Sequence, residues 1–523
     1  MATDYAESTQ SSKLGTMPIG KLILKMSGPA ILSMLVQALY NIVDSIFIGR
    51  YDATNGVLAL SYAMPLQLLV NAFAIGLAVG TGSLISRLLG EKRTKDAGLA
   101  SQTGILLALI CSAVFAIIGY FISKAFIGAY TINASAATGT ENVQLVYEMG
   151  STYLTICICC SFGFMIETML NRILQSMGNM IVPMITQIVG AVTNIVLDPI
   201  LISVCNLGAP GAAIATVIGQ VVAMMIPIFV IVKGRKKCEI EIFFTKNFKI
   251  EKRILKEILQ VGLPTIVMNS IGSLMYMISN HILNRFTDSV WAFGVYFKLQ
   301  SFAFMPVFGL NQGCIPILGY NYGANQKQRF EKTFRMALLI AFCYMFFALI
   351  LFHSIPGQLL TLFSVGDNAN RIAVGTQALR LCAIAFIPAS AGVIMIAMFN
   401  SVGHGIKAML ISLLRQIGIL APLGYLLSCY TPLGVTGYWA SFPIAEAVSV
   451  IIFLPIALTT IKRIFQKKDA LAMQQQEQQE FAEPALASSN DTPVTDACNT
   501  QQAPSLITES LITDAVSSET DCN

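Results

Sequence analysis

Two carboxylates interrupt apolar runs that should exclude them. Asp44 lies 17 residues into the run 27–49, and Asp198 lies 17 residues into the run 181–204. A charge at the centre of a membrane costs at least ~2.5 kcal/mol on insertion scales, so an intramembrane acid marks an ion or substrate path. Tyr40 precedes Asp44 by four residues and Asn194 precedes Asp198 by four. That spacing puts each polar partner one turn from its acid on the same helical face. Thr216 stands four residues into the run 212–233. Two carboxylates at one depth can share a proton, and nearby amide and hydroxyl oxygens can hydrogen-bond it or ligate Na+. The cation-coupling set is therefore Asp44, Asp198, Asn194, Thr216 and Tyr40. A Na+ ion would be held by Asp44, Asn194, Asp198 and Thr216. The plainer alternative has the two acids capping or snorkelling at the outer interface.

These depths follow from the elements that carry the residues. The chain has 523 residues, 55% apolar and 12% charged, with a mean hydropathy of +0.68. An ordinary soluble domain carries roughly 25% charge, so a soluble domain, a disordered chain and a secreted disulfide scaffold are excluded. Six apolar runs cover 27–49, 57–81, 98–120, 146–170, 181–204 and 212–233. Six more cover 259–283, 291–318, 334–354, 376–399, 408–428 and 437–460. Each suits a membrane-spanning helix of about 20 residues, and their length and lack of alternation exclude a barrel. At 1.5 Å per residue, Asp44 and Asp198 both stand about 26 Å up a ~30 Å core.

Basic residues fix the expected orientation. With the N-terminus inside, inward segments hold 26 Lys and Arg and outward segments hold four. The positive-inside rule then puts both termini in the cytoplasm, here of a plasma membrane. Arg172 is counted with the inward connections, and Lys298, Arg380 and Arg415 fall within or beside spans. Residues 1–468 carry a net charge of +15, an orientation signal rather than a nucleic-acid footprint.

The two sets of six runs repeat. Gly28 matches Gly262, Gly80 and Gly90 match Gly313 and Gly323, Ser176-Met177-Gly178 matches Ser401-Val402-Gly403, and Gly208-x-x-Gly211 matches Gly434-x-x-Gly437. Six spans is an even number, so both halves insert alike. They are expected to be related by a pseudo-twofold along the membrane normal, with a cavity between two six-helix bundles. The expected fold class is an all-α polytopic membrane protein. Its divisions are a polar N-terminal segment (1–17), an N-lobe (18–233), a basic inter-lobe linker (234–258), a C-lobe (259–465) and a disordered, glutamine- and acid-rich cytoplasmic tail (466–523).

Other motifs carry less. Glu446 is a mid-depth acid in the twelfth run, and Lys298 in the eighth lies at comparable depth. A structural Glu446–Lys298 pair and a substrate-binding role for Glu446 stand as equal alternatives. Glu167 and Arg415 are expected to snorkel. Cys157-x-x-Cys160 lacks a second ligand pair and sits in apolar sequence, which favours packed thiols over metal. Gly80-x-Gly82 has no strand context for a nucleotide, and no Walker A motif occurs, so ATP is not expected as the energy source. No cofactor is expected beyond the coupling ion, H+ or Na+, and no catalytic residue.

The arrangement resembles the multidrug and toxic compound extrusion (MATE) family. The likeness rests on Gly28-Pro29 with Gln37…Tyr40-Asn41-Ile42-Val43-Asp44…Phe47-Ile48-Gly49, on Asn171-Arg172…Gly178-Asn179…Pro183, on Asn194-Ile195-Val196-Leu197-Asp198-Pro199, and on Gly208-Ala209-Pro210-Gly211-Ala212-Ala213. It covers about residues 18–465. It implies a cation-coupled exporter of amphipathic, often cationic compounds, with Tyr40, Asp44, Asn194, Asp198 and Thr216 as the N-lobe coupling site. Many members carry an acid in the seventh span, whereas this chain reads Met268-Asn269-Ser270-Ile271-Gly272 there. Two alternatives remain. A lipid-linked sugar flippase of the same superfamily would need a strongly basic cavity. A non-transporting sensor or scaffold would need a signalling domain.

Overall fold

A computed structural model describes residues 12–51, 55–138, 143–234, 240–244, 248–361 and 369–487. Side chains are described within those ranges except at 12, 40–51, 55–58, 130–138, 369, 471–472 and 475–487. The elements are helical. A short α1 (Ser12–Thr16) precedes α2 (Ile19–Tyr51), α3 (Asn55–Gly90), α4 (Thr94–Thr138), α5 (Val143–Cys159), α6 (Phe162–Ser176), α7 (Ile181–Pro199) and α8 (Gly208–Gly234). The second half holds α9 (Lys252–Leu283), α10 (Ser289–Gly323), α11 (Lys327–Ser354), the short α12 (Pro356–Thr361), α13 (Ala369–Ala383), α14 (Phe386–Ser401), α15 (Gly405–Leu413), α16 (Ala421–Cys429) and α17 (Val435–Ala487).

Among the described residues, ten helices are long and apolar enough to cross a membrane. Two bent pairs, α5 with α6 at 43° and α13 with α14 at 50°, each complete one further span. The result is the expected twelve-helix architecture in two pseudo-twofold-related halves. The two bends fall at the fourth and tenth spans, the same place in each repeat.

Backbone geometry repeats with the sequence. Gly178 and Gly403, which follow α6 and α14, share a left-handed φ of +87°. Glycine adopts that conformation without the steric penalty of a Cβ, and it stops each helix short before the next span. Gly90 on α3 packs against Tyr320 and Gly323 of α10, and Gly323 packs against Arg87 and Gly90. Any side chain there would collide with the facing backbone. Likewise Gly80 faces Ile258 and Gly262 of α9, while Gly313 of α10 faces Ser27 of α2. These reciprocal contacts join the halves along a seam of small residues, the device that brings membrane helices close in the absence of a hydrophobic drive.

Polar bonds reinforce the same end of the molecule. Ser83 Oγ donates to the Asn400 carbonyl. Arg87 pairs with Glu257 at 3.6 Å. Arg329 donates to the carbonyls of Leu14 at 3.2 Å and Met17 at 2.7 Å, and to Asn321 Oδ1 at 3.1 Å. His404, in the turn between α14 and α15, is pushed down to about 4 by burial, with Lys407 and Arg87 adding repulsion. Part of the basic linker is docked here too: Ile240 and Ile242 are buried, and Gln102 Nε2 donates to the carbonyls of Glu241 at 3.2 Å and Phe243 at 3.0 Å.

One expectation changes. Residues 466–487 are helical as the end of α17 rather than unstructured. Gln, Glu, Ala, Lys and Met are all good helix formers, so this polar segment can extend a helix without an apolar face. Residues 488–523 lie outside the described residues.

Candidate functional site

A cavity of about 570 Å³ lies within the first half, walled by α2, α3, α5, α6, α7 and α8, with Gln312 of α10 contributing. Close packing of α7 on α8 builds its polar wall. A Cβ added at Gly219 would stand 3.0 Å from the Gly190 carbonyl and 3.4 Å from Asn194 Cβ. The two glycines thus let the helix backbones approach until Asn194 and Thr216 touch. Asn194 is 2% exposed and Asp198 is fully buried. In the amide orientation that satisfies both neighbours, Asn194 donates to Asp198 Oδ2 at 3.0 Å. Its oxygen then accepts from the Thr216 backbone N–H at 3.2 Å and from Thr216 Oγ1 at 3.3 Å. Asn194 and Thr216 line the cavity, so the amide links the cavity to the carboxylate behind it.

Beyond Asp198 the helix widens its turn rather than ending. Pro199 closes α7 and a five-residue π-helical segment, Ile200–Val204, follows. Proline lacks the N–H that would continue the α ladder, and π segments recur at functional sites. The helix carrying Asp44 and Tyr40 is described, but their side chains lie outside the described residues.

The α6 wall of the cavity holds residues that the sequence placed elsewhere. Glu167 does not snorkel: it is 7% exposed, lines the cavity and accepts from Asn171 Nδ2 at 3.3 Å. Arg172 is not a connecting-loop charge: it is 8% exposed within α6 and also lines the cavity. The signal for both was α6 itself, whose polar residues recur every four positions in two adjacent rows, Glu167, Asn171 and Gln175 in one and Thr168, Arg172 and Ser176 in the other.

In the second half, Glu446 pairs with Arg415 at 3.0 Å, not with Lys298. Lys298 is exposed on α10. Depth alone could not choose between the two bases. Arg415 falls in a π-helical segment, Leu414–Leu420, whose wider turn shifts the facing of its side chains relative to a continuous α-helix. Neither Glu446 nor Lys298 lines the cavity of the first half. Among the described residues, no group of three or more His, Cys, Asp or Glu is placed to hold a metal ion.

Comparison with known proteins bears on what this geometry serves. The MatE family model matches residues 29–200 and 264–426, one stretch in each half. The chain is 26% identical over 459 residues to the multidrug export protein MepA of Staphylococcus haemolyticus, covering 87% of this chain and 96% of that protein. It is 24% identical over 429 residues to the probable multidrug resistance protein YoeA of Bacillus subtilis, covering 81% of this chain and 90% of that protein. A solved structure described as the outward-facing conformation of a multidrug resistance MATE family transporter of the MOP superfamily superposes with a TM-score of 0.80. It is 23% identical and covers 87% of this chain and 99% of that one.

Proposed function

Because the chain belongs to the MatE family, we propose that it is a cation-coupled antiporter that exports amphipathic organic cations across the plasma membrane by alternating access. The observation that carries this reading is the Asp198–Asn194–Thr216 chain of hydrogen bonds, which connects a buried carboxylate to the wall of a membrane-embedded cavity. The coupling residues are Asp198, Asn194 and Thr216, joined by Asp44 and Tyr40 from α2. The ion is H+, with Na+ as the alternative. Binding of the ion at Asp198 redistributes the amide bonds of Asn194 and lowers affinity for a cation in the cavity. Binding of the cation in turn favours loss of the ion. That reciprocity is what antiport requires.

The cavity argues against the flippase alternative. It holds Arg172, but Glu167 stands in the same wall, so the lining is not strongly basic. With Arg172 set aside as a cavity residue, the 25-to-4 excess of basic residues on inward segments supports cytoplasmic termini. Dye efflux from cells or proteoliposomes under an imposed proton or sodium gradient tests the proposal. Efflux should accelerate with one gradient and stop on its collapse. Efflux indifferent to both gradients would reject coupling by either ion.

A further inference from the structure

The polar residues of α6 are not used by the coupling site, and they are incompletely bonded. Arg172 Nη1, Asn171 Oδ1 and Gln175 Oε1 are buried without a hydrogen-bond partner. All three side chains line the cavity. A buried guanidinium left unpaired is costly, and no ion pair joins Arg172 to Glu167 among the described residues. Their five-residue separation turns them about 140° apart on the helix. The carboxylate of Glu167 is instead bonded to Asn171. Arg172 is also held in place: a Cβ at Gly82 would stand 2.6 Å from its Cγ, so α3 backs the aliphatic stem of this cavity-lining side chain.

The position of this wall relative to Asn194 sets the size of what could bridge them. Arg172 lies six residues before Gly178 and Asn194 sixteen after it, a difference of about 15 Å in height at 1.5 Å per residue. Helical side chains lean toward the N-terminus of their own helix. On antiparallel α6 and α7, Arg172 and Asn194 therefore lean toward each other, so their heads are closer in height than their backbones.

We propose that Arg172, with the rotatable amides of Asn171 and Gln175, forms a second subsite in this cavity that takes a carboxylate, so that the protein binds amphipathic zwitterions with the cationic group toward Asn194 and Asp198 and the anionic group on Arg172. The guanidinium supplies a charge-assisted, two-pronged donor, and either amide can turn its NH2 toward the ligand. Glu167 opposes the anion and sets an upper limit on its affinity. The assignment rests on the transport reading, since it names the substrate class of the same cavity.

The test is equilibrium binding to the purified full-length protein of two dyes that differ in one group. Tetramethylrhodamine has a free carboxylate, and its methyl ester is a simple cation. Arg172→Gln should weaken binding of the free acid at least ~10-fold and leave the ester within about twofold, and Arg172→Lys should recover part of the loss. Glu167→Gln leaves the guanidinium in place and removes the opposing charge, so it should strengthen the free acid relative to the ester. Equal losses for both dyes in Arg172→Gln, or no loss for either, would overturn the subsite. So would a free acid weakened by Glu167→Gln. Failure of the wild type to bind either dye would overturn the transport reading itself and the subsite with it, whereas selective loss of the acid alone is the result that only the subsite explains.

Discussion

Asn194 carries more of the site than any other described residue, because one amide serves both Asp198 and Thr216. Replacing it with leucine keeps the branched outline of the side chain and removes all three hydrogen bonds. Asn194→Leu should reduce gradient-driven dye efflux by at least ~10-fold at matched membrane levels, since a buried carboxylate that loses its partner no longer reports to the cavity. Efflux within twofold of wild type would remove Asn194 from the coupling path. A second residue-scale expectation concerns acid. His404 is held neutral by burial and its cationic neighbours, with a value of about 4 against an ordinary 6.5. Its folded-state value is depressed, so the unfolded chain takes up a proton first. The stability present above pH 6.5 is lost progressively as pH falls toward 4. Detergent-solubilised wild type should therefore lose more of its Tm between pH 7.5 and pH 5 than His404→Gln, and equal losses would contradict the placement. At this scale the sequence was informative where spacing was local. The four-residue step from Asn194 to Asp198 named a bond that the fold makes. Glu446 was harder, because its partner Arg415 comes from another helix through a π-helical turn that no residue spacing announces.

Helix pairing in this protein is set by glycine. The α7–α8 contact needs Gly190 and Gly219 together, and a methyl group at Gly219 would press on the Gly190 carbonyl and on Asn194. Gly219→Ala should separate Asn194 from Thr216 and cut efflux several-fold, roughly 3- to 10-fold. Gly234→Ala, where a Cβ meets nothing within 4 Å, is the control and should leave efflux unchanged. Equal effects of the two substitutions would show that helix propensity, not the approach of α7 to α8, is at issue. The apolar runs located all twelve spans because hydrocarbon thickness imposes their length. They did not show that the fourth and tenth are bent pairs, since the breaks at 160–161 and 384–385 contain neither proline nor glycine. Nor did composition distinguish Glu167 and Arg172 as cavity residues. Charges near a span end read alike whether they reach for water or turn inward.

The whole molecule is held at one end by the seam between its halves. Gly90 and Gly323 meet there reciprocally, and Gly80 and Gly313 each face the other half. The equal ten-residue gaps between these glycines made the repeat visible in the sequence, and the repeat in turn required the pseudo-twofold. The proposed alternating access requires this seam to open. Gly323→Ala should wedge it, because the added methyl meets the Arg87 backbone. A cysteine placed at Ser86, beside Gly319 in the seam, should react with a membrane-impermeant maleimide at least ~3-fold faster in Gly323→Ala than in the otherwise unaltered protein. An unchanged rate would mean that the halves do not part along this line.

The measurement that bears most directly on the account is gradient-driven efflux by Asp198→Asn in proteoliposomes. Asparagine is neutral and nearly isosteric, so it fixes the site in its neutral, proton-bound form while leaving the packing of α7 in place. The account predicts that the variant inserts normally and binds cationic dye with reduced affinity. It should lose at least ~10-fold of the efflux driven by a proton or sodium gradient, along with any dependence of dye binding on that ion. Full gradient-dependent efflux by Asp198→Asn would contradict it.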